Sequence, residues 1–121
     1  MGAIKTFLDL EVYRLSHEAA MNIFFATKNF PPEEKYSLTD QIRRSSRSVA
    51  ANMAEGWGKR TYENSFKRHL IDAMGSIEET KSWLLFAKDC AYMQADLFQK
   101  YWNTYEEIGA KTFRLHENWK S

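Results

Sequence analysis

Both prolines of the chain stand together, Pro31-Pro32, and outside that pair little in its 121 residues forces a helix to stop. A proline pushes the residue before it out of the helical region and has no amide to give to the preceding turn. One such break and five scattered glycines leave room for long helices. The hydrophobic pattern agrees. Leu38, Ile42, Ser45, Val49, Met53 and Gly56 follow one another at steps of four and three, which keeps their side chains on one helical face. Leu8, Val12, Leu15, Ala19 and Ile23 do so before the prolines. Phe66, Leu70, Ala73, Ile77, Lys81 and Leu84 repeat the pattern after them, and Leu97, Tyr101, Ile108, Leu115 and Trp119 form a seam near the end. No stretch alternates as a strand would.

These seams predict helices over about residues 8–28, 38–57, 62–89 and 95–119 of a single domain spanning 1–121. Met1 to Lys5 reads as a loose start, with Thr6 or Asp9 opening the first helix and Asn29-Phe30-Pro31-Pro32 closing it. Ser37 with Asp40 offers a capping pair for the second helix, Gly56 its C-cap, and Thr61 an N-cap for the third. Gly75-Ser76 inside the third helix costs about 1 kcal/mol relative to alanine, so a close backbone approach is expected there. Four helices with short connections specify an all-α, antiparallel up-down-up-down four-helix bundle.

The fourth helix carries a second apolar line, Phe98, Trp102, Tyr105, Gly109 and Phe113, and Tyr13, Met21, Phe24 and Phe25 widen the first. If each helix buries one stripe, this surplus stands in water, and a closed homo-oligomer would cover it. Phe98, Trp102, Tyr105 and Phe113 are therefore expected at an oligomer interface. The alternative is a thick core with Tyr and Trp tips reaching the surface.

The net charge of +1 hides an uneven spread. Lys35 to Leu70 holds eight Lys and Arg against three acids, a surplus of five, and the remainder is acidic. Arg43, Arg44, Arg47, Lys59 and Arg60 are the expected phosphate-binding residues, with Trp57 and Tyr62 beside the basic turn as stacking surfaces. The free amides at the start of the third helix, next to Lys59 and Arg60, suit a simple anion site. An ordinary mixed surface with paired charges is the plainer reading. Asn52 and Glu55 lie on one line with Gln41, Ser45 and Ser48. Either they form a solvated face, or Asn52, Glu55 and Glu79 form a structural polar network between helices.

Catalytic chemistry finds no footing. Cys90 stands alone, which excludes an internal disulfide and a multi-cysteine zinc site. His17, His69 and His116 are isolated, and none follows a glutamate at the spacing of di-iron bundles. Gly56-Trp57-Gly58-Lys59 follows a helix rather than a strand and has Arg60 where magnesium would need Ser or Thr. The serines lack a partner base, and Glu55, Glu78 and Glu79 are expected to serve structure before acid-base work. No metal, no cofactor and no enzymatic activity are expected. With neither a leader nor an apolar run near 18 residues, a cytoplasmic protein with no membrane contact is expected.

Several stretches resemble the four-helix-bundle family of 23S ribosomal RNA intervening-sequence proteins. They are Asp9-Leu10-Glu11-Val12-Tyr13, then Phe30-Pro31 with Glu34, Tyr36 and Leu38. Gln41-Ile42-Arg43-Arg44, Ser48, Asn52, Ala54-Glu55-Gly56 and Gly58 carry the strongest likeness, and Phe66, Leu70, Ala73, Gly75-Ser76 and Glu79 extend it. The departures are Ser45-Ser46 where alanines are usual, Met53 for a branched aliphatic, and Ala91 where glycine precedes the tyrosine of the last connection. The resemblance implies a homopentamer. It also implies kinship with accessory proteins of diversity-generating retroelements, which engage nucleic acid and a reverse transcriptase through a basic surface. An RNA or DNA partner is thus the leading expectation, and a protein partner such as a polymerase the alternative.

Overall fold

The computed structural model describes residues 3–120. Ser121 and the first two residues of the expected loose start, Met1 and Gly2, lie outside the described residues. The described chain is four helices with two single 3-10 turns: Phe7–Asp9, α1 (Glu11–Thr27), Pro32–Glu34, α2 (Leu38–Gly58), α3 (Glu63–Asp89) and α4 (Ala95–Asn118). Among the described residues there is no strand. Each helix packs against two neighbours, α1 with α2, α2 with α3, α3 with α4 and α4 with α1, and the diagonal pairs stand apart. Short connections between these neighbours make the bundle antiparallel. Ile23, Ile42, Val49, Met53, Phe66, Leu70, Ile77, Leu84 and Ile108 fill its centre, all essentially inaccessible. Each contributes roughly 1.5–3 kcal/mol by leaving water.

The helix ends differ from expectation in ways the side chains explain. Thr6 does cap, accepting from the Leu8 amide at 3.2 Å, while Asp9 accepts from the Thr6 amide at 3.1 Å. The capped unit is a 3-10 turn rather than α1. Leu8 therefore points to solvent and Leu10 takes the buried position. At the start of α2 the cap comes from Glu34, whose carboxylate accepts from the Ser37 hydroxyl at 2.5 Å and the Leu38 amide at 3.2 Å. Neither Ser37 nor Asp40 fills that role. Tyr62, not Thr61, precedes α3, and its side chain makes no cap.

Gly56 is not a C-cap: α2 runs on to Gly58, and among the described residues no glycine has positive φ. A Cβ at Gly56 would stand 2.8 Å from the His69 Cβ, so this glycine lets α3 lie directly against α2. The close approach expected at Gly75 is absent there, since that position faces open space.

The aromatic line of α4 also divides. Phe98 is 7% exposed and Tyr105 1%, both inside the single bundle, so they are core residues and not an oligomer interface. A helix held between two neighbours buries a wide arc rather than one stripe. Trp102 is half-buried, 4.5 Å from the Lys81 ammonium, and Phe113 remains 55% exposed.

One connection carries strain. After α3 the Tyr92 amide reaches back to the Ala87 carbonyl and the Ala91 amide to Lys88, both at 2.9 Å, a Schellman closure. Ala91 sits at φ 63°, the left-handed region where a Cβ is unfavourable. Ala91→Gly should therefore stabilise the protein by about 0.5–1 kcal/mol, roughly 2–5 °C in Tm, net of the extra freedom glycine gives the unfolded chain. Thermal melts decide it.

The same connection is tied to the α1–α2 connection, because the Tyr92 hydroxyl donates to Glu34 at 2.9 Å. The bonds from Ser37, Tyr92 and the Leu38 amide hold the Glu34 carboxyl below its ordinary range. The bond to Glu34, with burial and the carboxylate charge, pushes the Tyr92 hydroxyl from 10.0 up to about 12. A lowered carboxyl favours the fold above its ordinary range and loses that contribution as pH falls through the folded value. A raised phenol contributes fully below pH 10 and loses its contribution as pH rises through about 12. The stability advantage of the native chain over Tyr92→Phe should be constant between the ordinary carboxylate range and pH 10, shrink towards pH 12, and shrink also in acid as Glu34 takes up its proton, in denaturant titrations.

Candidate nucleic-acid interface

α2 presents different chemistry on its two packed sides. Towards α3 it carries Ser45, Ser48, Asn52 and Gly56. Towards α1 it carries Arg43, whose Nε donates to the Thr27 hydroxyl at 2.8 Å and whose second nitrogen reaches the Phe24 carbonyl at 3.4 Å. Arg43 and Arg47, one turn apart, both place their guanidinium over the Phe24 ring, at 4.7 and 5.7 Å from its centroid. Lys28, at the end of α1, brings a third cation to the same ring at 5.0 Å. Three positive charges thus surround one half-buried aromatic. Among the described residues, Lys28, Lys35, Arg43, Arg44 and Arg47 form no ion pair, whereas Lys59, Lys67, Arg68, Lys81 and Lys111 do. Such a cluster repels itself and holds an unsatisfied preference for anions.

Beside it lies an open groove of about 390 Å³ between the end of α1 and the start of α2. It is bounded by Phe24, Lys28, Phe30, Pro31, Pro32, Lys35 and Arg43. The five expected phosphate ligands do not form one patch. Arg43 and Arg47 belong to this cluster, and Arg44 lies one step, about 100°, further round the helix on its exposed face. Lys59 and Arg60 stand about 24 Å along the axis at the other end of α2, and both are engaged. The Lys59 ammonium donates to Glu55 at 2.9 Å and lies 3.2 Å from His69 Nε2. The Arg60 guanidinium covers the Trp57 ring at 4.1 Å and donates to the Trp57 carbonyl at 3.0 Å. Trp57 itself is buried beside Phe66 and Trp119, so of the two expected stacking rings only Tyr62 is open to solvent. Lys28 and Lys35 complete the groove. Each looks ordinary in the sequence, because they join Arg43 only when the proline turn folds back.

The expected polar network exists in altered form. Asn52 accepts from His69 Nδ1 at 3.1 Å and donates to the Ser48 carbonyl at 3.0 Å. Ser48 is joined to Ser76 at 2.9 Å, and Ser45 to Thr80 at 2.9 Å. An ammonium can only donate and a carboxamide oxygen only accept, so this pattern requires the His69 proton on Nδ1. Glu55 sits at the exposed end of the network, bonded first to Lys59, whose hydrogen bond and charge lower its carboxyl pKa. Glu79 belongs elsewhere: it is exposed and accepts from Trp83 at 3.1 Å. The histidine and the α3 hydroxyls were missed, since no single-helix periodicity pairs them with α2.

The model of the 23S rRNA-intervening sequence protein family matches residues 8–114. Among solved structures, a protein of unknown function from the S23 ribosomal protein family of Bacteroides thetaiotaomicron is similar, with a TM-score of 0.80 and 25% identity. The alignment covers 88% of this chain and 96% of that one. No curated protein matches.

Arg43 and Arg44 are adjacent cations with different duties. Arg43→Ala should lower stability by about 1–2 kcal/mol, because it removes a charge-assisted bond between α1 and α2. Arg44→Ala should stay within about 0.5 kcal/mol of the native chain. Paired urea titrations test the difference.

Proposed function

We propose, from the premise that the chain belongs to the 23S rRNA-intervening sequence protein family, that it is a non-enzymatic, oligomeric accessory protein of the cytoplasm that binds RNA or DNA. The supporting observation is the cation cluster of Lys28, Arg43 and Arg47 about Phe24, which forms no ion pair among the described residues and is continued along the groove by Lys35. Contacts of this kind grip phosphates without reading bases. Among the described residues no helix is long and apolar enough to cross a membrane. Phe113, with the half-buried Trp102, remains available to an oligomer interface, and five copies in a ring would repeat the cluster around one axis. Such repetition turns weak phosphate contacts into avid ones.

A second reading, a scaffold for a protein such as a polymerase, has its own support in an apolar groove. Leu38, Trp83, Phe86 and Cys90 line it between the start of α2 and the end of α3, and Phe86 is exposed there. A partner retained from lysate after nuclease treatment would favour the scaffold.

Fluorescence anisotropy with a structured RNA tests the leading reading. For about four phosphate contacts per chain, affinity should fall at least roughly a hundredfold between 50 and 200 mM salt. Lys28→Ala should flatten that slope. Undetectable binding at the lower salt would remove the proposal. Light scattering on the same sample should give five times the 14.2 kDa chain, and a single-chain mass would remove the oligomer and its avidity.

A further inference from the structure

We infer that the groove beside the Phe24 cluster is a binding site for single-stranded nucleic acid, with Phe25 and Tyr36 as base-stacking surfaces on either side of it. The inference rests on reading the cluster as a phosphate site. Lys28 and Lys35 both line the groove, and each also lies over an aromatic ring of its own segment. The Lys28 ammonium is 5.3 Å from the Phe25 ring centroid, and the Lys35 ammonium 5.3 Å from that of Tyr36. Phe25 and Tyr36 are thus each held beside a cation that lines the groove, Lys28 and Lys35, and Arg43 is the third cation of its lining. Both rings are open, Phe25 at 56% exposure and Tyr36 at 84%, the latter the most exposed large hydrophobic side chain of the described chain.

Neither ring contributes to the core, and exposed aromatics gain nothing from water. A base face can cover each. In a duplex those faces are already stacked on one another, whereas a single strand offers them freely while its phosphates lie against the cations. Pro31-Pro32 forms part of the groove's lining, with Pro31 at φ −58° and ψ 144°. Proline's fixed φ keeps that part in place before the ligand arrives, which lowers the entropy lost on binding. At about 390 Å³ the groove falls within the size range of sites for small organic groups.

The experiment compares an unpaired RNA strand with the duplex it forms with its complement, both titrated at 50 mM salt. The protein is the full chain, native and with Phe25→Ala and Tyr36→Ala combined. The double variant should lose about tenfold or more in affinity for the single strand. Its affinity for the duplex should stay within about twofold, and its mass by light scattering should equal the native value. Equal losses for both RNAs, no loss for either, or a changed mass would overturn the inference. The changed mass would mean that the rings belong to a contact between copies of the chain. Native protein that binds neither RNA removes the underlying nucleic-acid reading instead, so the two failures are distinguishable.

Discussion

The register between α2 and α3 is set by hydrogen bonds as well as by interlocking apolar side chains. Ser45 meets Thr80, Ser48 meets Ser76, and Asn52 meets His69, residue numbers rising on one helix as they fall on the other. Apolar packing alone tolerates a shift of one turn, because leucine fits many holes. A ladder of hydroxyls and amides tolerates it less, since a slip would break the three bonds between the helices, each worth about 0.5–1.5 kcal/mol. Gly56 closes the lower end, where any side chain would collide with the His69 Cβ. The serine pair that departs from the family pattern joins this arrangement: Ser45 is a rung, and Ser46 is buried with its hydroxyl donating to the Arg43 carbonyl at 3.1 Å.

With one side of α2 committed to α3, its arginines must face α1 or the solvent. Arg43 faces α1 and holds the two helices together through Thr27 and the Phe24 ring. Arg47 follows one turn later, and the proline turn returns Lys28 and Lys35 to the same place. The cationic site thus draws Lys35, Arg43 and Arg47 from the basic stretch and adds Lys28 from the end of α1, brought together by the bundle's register and one connection. Lys59 and Arg60 belong to the same stretch, and yet local partners hold both.

That difference explains what could be read before folding. Helix number and the α2 seam follow from spacing within one element, and both appear in the structure. Errors arose where a second element decides. Phe98 and Tyr105 looked like surplus because a helix was granted one stripe, whereas α4 lies against both α1 and α3. Leu8 matched the α1 rhythm, but the Thr6–Asp9 cap closes a 3-10 turn and rotates it outward. Gly75 and Gly56 are equally permissive in sequence, and only the packing of His69 distinguishes them. The departure at Ala91 was visible as a missing glycine, and its meaning is the left-handed φ.

The bundle contains an internal control for the cation cluster. On the α3–α4 side, Lys81 also stands over an aromatic, 4.5 Å from the Trp102 ring. There the charge is answered: Glu106 lies at 2.9 Å and Glu78 at 3.4 Å. Burial would lower the lysine pKa, but the bonds and charges of those two carboxylates outweigh it and leave it raised. The cation-over-ring contact at Trp102 is therefore neutralised, and the one at Phe24 is not. A fold that needed only the packing contribution of an arginine stem over Phe24 could have placed an acid beside it, as it does for Lys81. Three cations around one ring, with no ion pair among the described residues, repel one another, and an anion would relieve that repulsion.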